Sequence, residues 1–242
     1  MWVKLNNRPT KDQARFIFLF ILLHILTAAN APIAWHLVKS ASNIQVFTSN
    51  VPNYPVKGIR AEVVFDAPIT QVLKVAMDVN HYPNWIYKCK KSVLVKQVSA
   101  QEVIYYHITD APWPVADRDQ YSVTKLSKHI DGSYWMHSHT LPDYGGNEEG
   151  NVRIKNGKAT WHFIPLPNGQ TKGEYELFFN PEGYIPSWII NLFIAEGPYV
   201  TMLNMQKEIG KQRFLVTSYE FEFIAPNSTF ITCSPTSSPC IF

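Results

Sequence analysis

Histidines and one run of charged residues are the side chains whose spacing could support chemistry. His137 and His139 alternate along one predicted strand, and His162 lies on another. Two histidines at positions i and i+2 share one side of a strand and could bind a metal ion, but no local carboxylate or cysteine completes a set. The run 117–119, Asp-Arg-Asp, could supply an acid and a base, or a structural ion pair at a strand start. We favour ordinary histidines and a structural ion pair, and we predict no metal and no cofactor.

The cysteines do not form a recognisable framework. Cys89, Cys233 and Cys240 are odd in number and have no C-x-x-C spacing. This pattern indicates neither a zinc site nor a full set of disulfides. A Cys233–Cys240 bridge in an oxidising compartment stays open as an alternative, because the sequence does not fix the geometry of the pair.

The positive charge of the chain is concentrated at its beginning. The formal net charge is +3, and residues 1–31 contain four basic side chains and one acidic side chain. The remainder carries 18 basic and 18 acidic side chains and is therefore neutral. Because no basic stripe is left on the main part of the chain, we predict that nucleic acid is not a partner.

The same N-terminal segment has the pattern of a targeting sequence. A basic start is followed by an apolar stretch over residues 16–29 and by Ala29-Asn30-Ala31, in which small residues flank one position. This order is typical of a secretory signal peptide, which we assign to residues 1–31. An uncleaved membrane anchor is the alternative, although His24 interrupts the apolar stretch. Either interpretation predicts an exported protein, periplasmic or secreted.

The central part of the chain predicts an antiparallel meander. Alternating apolar positions over 59–65 predict a strand, and a helical spacing follows over 67–78. Three hairpins are then predicted, with turns at 99–101, around Asp131-Gly132 and around Asn168-Gly169. We expect the earlier segment 35–47 to begin as a helical or irregular piece and to end in a strand.

The last regular element is predicted to be one long amphipathic helix over residues 186–213, with a kink at Gly197-Pro198. A twisted sheet can curl around such a helix, so the class is α+β. Aromatic side chains between sheet and helix would either fill a core or enclose an apolar pocket, and periodicity leaves both open. The loop 141–151 is either a mobile lid or a surface loop. Residues 224–242 are rich in Ser, Thr and Pro and are predicted to be a disordered tail.

Several motifs of this chain resemble the START domain family of StAR-related lipid-transfer proteins, in a bacterial single-domain form. The most distinctive lies at 111–119 and reads Ala-Pro-Trp-Pro-Val-Ala-Asp-Arg-Asp. Further likeness lies in the opening at 35–47, in Tyr-Pro-Asn-Trp at 82–85 and in Ile-Pro-Ser-Trp-Ile-Ile-Asn at 185–191. The resemblance covers about three quarters of the chain, and we assign the domain to residues 32–215.

The resemblance implies a helix-grip fold, in which a curved antiparallel sheet wraps around a long C-terminal helix. It also implies an internal hydrophobic cavity for a lipid, a sterol or a similar apolar molecule, with no cofactor and no catalytic residues. One position departs from the sterol-binding relatives: Thr124 stands where they place a cavity arginine, and Tyr105 aligns near its partner carboxylate. We therefore expect a weakly polar anchor at Tyr105, Ser122 or Thr124, although these side chains could also simply pack across strands.

The strand faces, the helix stripe and the resemblance together nominate ten ligand-binding residues. They are Tyr105, Ser122, Thr124, Trp161, Phe163, Tyr175, Leu177, Leu192, Tyr199 and Met202.

The leading hypothesis is an exported carrier or sensor that binds an apolar small molecule and makes transient contact with a membrane. The alternative is an enzyme like the polyketide cyclases and aromatases, which use a related cavity. For that case Tyr105, His107 and Tyr175 are the titratable candidates. A third possibility is an interaction domain whose aromatic residues fill the core and leave no cavity.

Overall fold

The computed structural model describes residues 11–12, 33–146 and 149–211. Most of the predicted signal segment 1–31 lies outside these residues, as do the predicted tail 224–242 and the Cys233–Cys240 pair. Cys89 is free and buried. Within the described part of the chain, no helix has both the length and the apolar character needed to cross a membrane.

Over residues 33–146 and 149–211, ten strands form one curved sheet, and three α-helices with one 3₁₀-helix pack against it. The strands are β1 His36–Ala41, β2 Ile44–Ser49, β3 Gly58–Phe65, β4 Cys89–Ser99, β5 Glu102–Thr109, β6 Arg118–Lys128, β7 Tyr134–Thr140, β8 Val152–Arg153, β9 Gly157–Pro165 and β10 Thr171–Phe179. The helices are α1 Ile69–Met77, the 3₁₀-helix η1 Val79–Asn84, α2 Ser187–Ala195 and α3 Gly197–Ile209. This is the α+β helix-grip arrangement that the sequence predicts.

The sheet has the strand order β1-β2-β3-β10-β9-β7-β6-β5-β4, and short β8 pairs with β6 in parallel. Every other pairing is antiparallel. The three predicted hairpins are present as β4–β5, β6–β7 and β9–β10. Gly132 and Gly169 adopt φ of 83° and 81° in two of their turns, a conformation that glycine adopts without a steric penalty.

The prediction for the first segment was wrong, because His36–Ala41 is a strand rather than a helical or irregular piece. It pairs with β2 through a tight turn in which Ser42 and Asn43 have φ of 51° and 62°. Five of its six residues are exposed, because the strand lies at the sheet edge. An edge strand without a buried face lacks the apolar alternation from which a strand is predicted.

The predicted long helix is interrupted as expected, although the interruption is larger than a kink. α2 ends at Ala195 and α3 begins at Gly197, with Pro198 in the first turn of α3. Proline suits a first helical turn and cannot continue the hydrogen bonds of a preceding helix. Trp188 in the first turn of α2 is 56 % exposed, so this large apolar side chain is not part of the buried face of the helix.

The core lies between the inner face of the sheet, α1 and α3. Met202 and Met205 of α3 are fully buried, as are Phe65 of β3 and Phe163 of β9. Gly173 of β10 leaves room for the Phe65 ring, which lies 2.7 Å from the position a Cβ would occupy. This close-packed region occupies one end of the space between sheet and helices, and a pocket occupies the other.

Candidate functional site: a pocket between sheet and helices

The pocket has a volume of about 230 Å³ and lies between the inner face of the sheet and the helical segment that includes α2 and the start of α3. Side chains alternate between the two faces of a strand, so alternate residues in the parts of β5, β6, β9 and β10 nearest the loop end form one wall. The loops after β5 and β10 line one end through Ala111, Val115, Pro181 and Ile185, which we call the loop end.

Apolar side chains form most of the pocket wall. Trp161 and Tyr175 stand opposite each other on β9 and β10, with ring centroids 4.6 Å apart, at the end farthest from the loops. Ile189, Ile190 and Phe193 of α2 cover the pocket from the helical side. Such a surface favours an apolar occupant, because each Å² of apolar area removed from water contributes about 25 cal/mol.

A group of neighbouring hydroxyls interrupts this apolar wall, and we call it the hydroxyl cluster: Tyr105, Ser122, Thr124 and Ser138. Ser122 faces Tyr105 across β5 and β6, and Ser138 faces Thr124 across β6 and β7. The Oγ atoms of Thr124 and Ser138 are 2.6 Å apart. Burial raises the pKa of Tyr105, and hydrogen bonds with the other three hydroxyls partly offset that rise. The phenol is therefore neutral and able to donate a hydrogen bond.

Two further titratable groups line the pocket. Burial lowers the pKa of His107 to about 4, so the imidazole is neutral at physiological pH. One ring nitrogen, Nε2, lies 3.0 Å from Oγ1 of Thr109. Burial also raises the pKa of Tyr175 well above its ordinary value, with a smaller contribution from Tyr105. The pocket wall thus contains neutral hydrogen-bonding groups rather than ions along β5 and β10.

Arg118 lies at the loop end and connects the two loops there. Its Nη1 donates to the carbonyl oxygen of Ala116 at 2.5 Å. Its Nε and Nη2 donate to the carbonyl oxygens of Pro181 and Glu182 at 3.2 and 3.1 Å. The side chain is buried, and its three hydrogen bonds fix the loop after β5 against the loop after β10.

The rest of the Asp-Arg-Asp run forms ion pairs, but with partners outside the run. Asp119 is 1 % exposed and receives a hydrogen bond from Nε of Arg153 at 2.8 Å and another from the hydroxyl of Tyr106 at 2.9 Å. Asp117 pairs with Lys90 at 2.7 Å. Each member of the run therefore joins β6 or its preceding loop to another element, a structural rather than an acid–base arrangement.

Five of the ten nominated residues line the pocket: Tyr105, Ser122, Trp161, Tyr175 and Leu177. That a ligand contacts them stays a prediction. Thr124 belongs to the hydroxyl cluster through its contact with Ser138, but it is fully buried and lies outside the lining. The side chain of Leu192 is outside the described part of the structure.

The remaining three nominated residues lie away from the pocket. Phe163 stacks on Trp161 at a centroid distance of 5.1 Å and is fully buried in the core. Met202 is buried on the core side of α3. Tyr199 lies at the junction of α2 and α3, where its hydroxyl is 3.2 Å from that of Ser42. Phe163 has the right strand face but lies farther along β9 than the pocket. Tyr199 and Met202 lie beside the lining residues Pro198 and Thr201 but on a different side of α3.

Other residues that sequence reasoning singled out are also outside the lining. Trp113, in the motif at 111–119, is 89 % exposed, and the described residues of loop 141–151 do not line the pocket. The loop residues Pro181 and Ile185 and the α2 residues Ile190 and Phe193 were missed, although Ile185 and Ile190 belong to a recognised motif. The described histidines and acidic residues form no metal-binding cluster.

The fold is that of a helix-grip domain with a mostly apolar pocket between sheet and helices, and comparison with known proteins gives the family. The START domain model matches residues 24–211. The chain therefore belongs to the START domain family, whose members bind lipids or other apolar ligands. The match begins within the predicted signal segment, and the division between segment and domain at residues 31 and 32 stays a prediction.

Individual relatives agree with this assignment. A STAR-related lipid transfer protein from Xanthomonas axonopodis has 31 % sequence identity and a TM-score of 0.68, covering 73 % of this chain and 99 % of that one. An uncharacterized protein of Pseudomonas aeruginosa is 29 % identical over 178 residues, which cover 74 % of this chain and 88 % of the relative. Human StAR-related lipid transfer protein 5 has a TM-score of 0.67 at 14 % identity, covers 82 % of this chain and 97 % of that one, and shares the fold.

Proposed function

We propose that the pocket is the ligand cavity of an exported carrier or sensor for an apolar small molecule. The observation that carries this proposal is the apolar wall formed by Trp161, Tyr175 and Leu177 on the sheet and by Ile189 and Phe193 on α2. Trp161 and Tyr175 contact each other, but the sheet and α2 side chains together border a volume of about 230 Å³, which a filled core would not leave. Burial of about 300 Å² of ligand surface would contribute about 7.5 kcal/mol, which corresponds to micromolar affinity.

The volume also limits the ligand. Sites for drug-sized molecules usually measure about 300 to 1,000 Å³. A pocket of about 230 Å³ is below that range and suits a single acyl chain or a small ring system. A lipid with two chains would require α2 to move away from the sheet.

Binding rather than catalysis is the function that we propose, and the pKa values support it. A cyclase-like enzyme would use Tyr105, His107 and Tyr175 as acids and bases. A general acid or base works best when its pKa lies near the operating pH. Burial instead moves the pKa of His107 down to about 4 and the pKa of both phenols upwards, so all three groups are neutral and weakly reactive at pH 7.

Transient contact with a membrane is part of the same proposal. Trp113 and Tyr184 are 89 % and 88 % exposed, and they belong to the two loops that Arg118 connects at the loop end of the pocket. Tryptophan and tyrosine favour the interface between lipid headgroups and acyl chains. An apolar ligand that leaves the pocket at this end would then enter lipid instead of water.

Co-sedimentation with phosphatidylcholine vesicles tests the membrane contact. The double variant Trp113→Ala, Tyr184→Ala should bind vesicles at least fivefold more weakly than the unchanged protein. Ile130→Ala is the matched control, because Ile130 is fully exposed in the β6–β7 turn at the opposite end of the sheet. Equal loss in both variants would contradict a localised membrane surface.

Export rests on the pattern of residues 1–31, which is basic, then apolar, then Ala-Asn-Ala. Cell fractionation followed by N-terminal sequencing tests it. A mature chain that starts at Pro32 outside the cytosol supports the signal peptide, and a full-length chain in the membrane fraction supports the anchor. A full-length chain in the cytosolic fraction would contradict both.

Native mass spectrometry of the purified protein, with extraction of any bound molecule, tests the central proposal. We expect one apolar molecule per chain. Trp161→Phe should change the amount or the chain length of the bound molecule, because Trp161 lines the pocket. Trp135→Phe is the control: Trp135 stacks on His162 on the opposite face of the sheet, with centroids 4.0 Å apart. A protein that binds no member of a broad lipid panel would overturn the proposal.

A further inference from the structure

Lys158 and His139 are among the residues that border the pocket, but alternation along their strands places their side chains on the opposite face of the sheet. The ammonium of Lys158 lies 4.9 Å from the centroid of the Phe178 ring, and Phe178 alternates with the pocket residue Leu177 on the opposite face of β10. His139 alternates in the same way with Ser138 and Thr140 on β7. No aspartate or glutamate is among the described residues of the lining.

Arg118 is the remaining full charge on the wall, and its hydrogen bonds serve the loops. Three of its N–H groups donate to the main-chain carbonyl oxygens of Ala116, Pro181 and Glu182. Arg118 pairs with Thr109, which is four residues along β5 from Tyr105. At 3.3 Å per residue, the main chain of Arg118 is therefore about 13 Å from the hydroxyl cluster. A ligand group at the hydroxyl cluster is therefore beyond the reach of this guanidinium.

The hydroxyl cluster itself offers neutral donors and acceptors. Tyr105, Ser122 and Ser138 line the pocket, and Nε2 of Gln120 donates to Oγ of Ser122 at 2.9 Å. His107 beside them is neutral because burial depresses its pKa. Moving an ion from water to such a place without an opposite charge is costly, whereas an uncharged oxygen keeps its hydrogen bonds there.

We propose that the ligand is an uncharged molecule with one hydroxyl or carbonyl oxygen, which the hydroxyl cluster binds while the apolar wall encloses the remainder. This inference rests on the proposed function and narrows its ligand class. It excludes ionised fatty acids, and it excludes lipids whose charged headgroup would enter the pocket.

A series of ten-carbon ligands tests the charge preference at fixed pH. Decan-1-ol, decane, decyl sulfate and decyltrimethylammonium share the alkyl chain and differ in the terminal group. The two ions would be titrated below their micelle concentrations, and decan-1-ol and decane below their solubility limits, against the protein loaded with N-phenyl-1-naphthylamine, an uncharged fluorescent probe. We expect decan-1-ol to displace the probe at least tenfold more tightly than either ion, and about fivefold more tightly than decane.

Two variants test whether hydroxyls of the cluster cause the preference for decan-1-ol over decane. Tyr105→Phe and Ser138→Ala should each reduce the advantage of decan-1-ol over decane to less than twofold, while decane affinity stays unchanged. The controls are Tyr54→Phe and Ser127→Ala, which remove the same atoms outside the pocket, where they bond Asn156 and the carbonyl of Trp135. Ser138→Ala removes a single half-buried oxygen, so it keeps the test valid if Tyr105→Phe does not fold.

The outcomes separate this inference from the function on which it rests. Tightest binding of decyl sulfate, lost in Arg118→Gln, would overturn it in favour of an anionic ligand. Equal binding of decane and decan-1-ol would also overturn it, because the cluster would then bind nothing. In both cases the proposed function, binding of an apolar small molecule, would still stand. Failure of the probe and of all four ligands to bind would instead overturn the proposed function itself.

Discussion

The two halves of the helical layer, α2 and α3, cover the same sheet but differ in what lies beneath them. The start of α3, as far as Thr201, borders the pocket, and the rest of the helix lies on a packed core in which Met202 and Met205 are fully buried. Thr201 accepts a hydrogen bond from the main-chain N–H of Tyr87 at 3.0 Å. Glu208 at its end receives a hydrogen bond from Asn84 at 3.1 Å. α2 covers the pocket, and none of its described side chains hydrogen-bonds to the sheet.

This difference separates stability from binding. Buried contacts and internal hydrogen bonds fix α3, so its side chains determine whether the domain folds. α2 has fewer such contacts, so its side chains can respond to what the pocket contains. The predictions that follow test this division, beginning with the largest expected effect.

Truncation of a core side chain of α3 should cost the most stability. Met205→Ala removes buried atoms from a close-packed site, where such changes usually cost about 2–5 kcal/mol. Urea denaturation of the ligand-free protein measures the free energy of unfolding. A loss below about 1 kcal/mol would mean that α3 is no better packed than α2.

The fold is largely predictable from the sequence, since alternating apolar positions and glycine turns predict eight of the ten strands. The pocket is only half predictable. Trp161 and Phe163 share a strand face and are equally apolar, yet Trp161 borders the pocket and Phe163 is in the core. Which of them lines a pocket depends on how far along the sheet the helices approach, and periodicity along one element does not contain that information.

His107, which lines the pocket, predicts that the free energy of unfolding depends on pH. The pKa of His107 is about 4 in the folded protein, and its ordinary value of 6.5 applies to the unfolded chain. Between pH 4 and pH 6.5 the unfolded chain therefore binds more protons than the folded protein. Stability therefore falls as the pH decreases from about 6.5 to 4, by an amount of about 2–3 kcal/mol at most.

Urea denaturation at pH 7 and pH 4.5 checks this dependence, with His107→Gln as the comparison. Glutamine has no titration in this range, so the variant should lose about 2 kcal/mol less than the unchanged protein over the same interval. Identical pH profiles for the two proteins would show that His107 is not buried against the pocket as the structure has it.

Truncation on the pocket side of α2 should have a smaller effect on folding and a larger effect on binding. Ile190 is half-buried and borders the pocket, so Ile190→Ala removes contacts that are incomplete in the ligand-free state. We expect a loss of about 1 kcal/mol in unfolding free energy, together with a three- to tenfold loss of affinity for decan-1-ol. Met205→Ala should show the reverse balance, with ligand affinity nearly unchanged at temperatures where the variant is folded.

The smallest expected effect on stability concerns the junction of the two helices. Lys39 of β1 pairs with Glu196, the residue between α2 and α3, at 2.8 Å, and its ammonium lies 4.1 Å from the centroid of the Tyr199 ring. Both charged side chains are partly exposed, and such pairs contribute about 0–1 kcal/mol. Lys39→Met should therefore barely change the free energy of unfolding.

The same substitution should nevertheless accelerate ligand exchange, because the pair connects the edge of the sheet to the point where α2 begins to diverge from the packed α3. Stopped-flow displacement of N-phenyl-1-naphthylamine would measure the dissociation rate, which we expect to rise at least threefold. Lys172→Met is the control, since Lys172 pairs with Glu62 and Glu174 on the sheet, away from the helices. If both variants release the probe at the unchanged rate, the ligand does not leave by movement of α2 about this junction, and release must then occur through the loops that Arg118 connects.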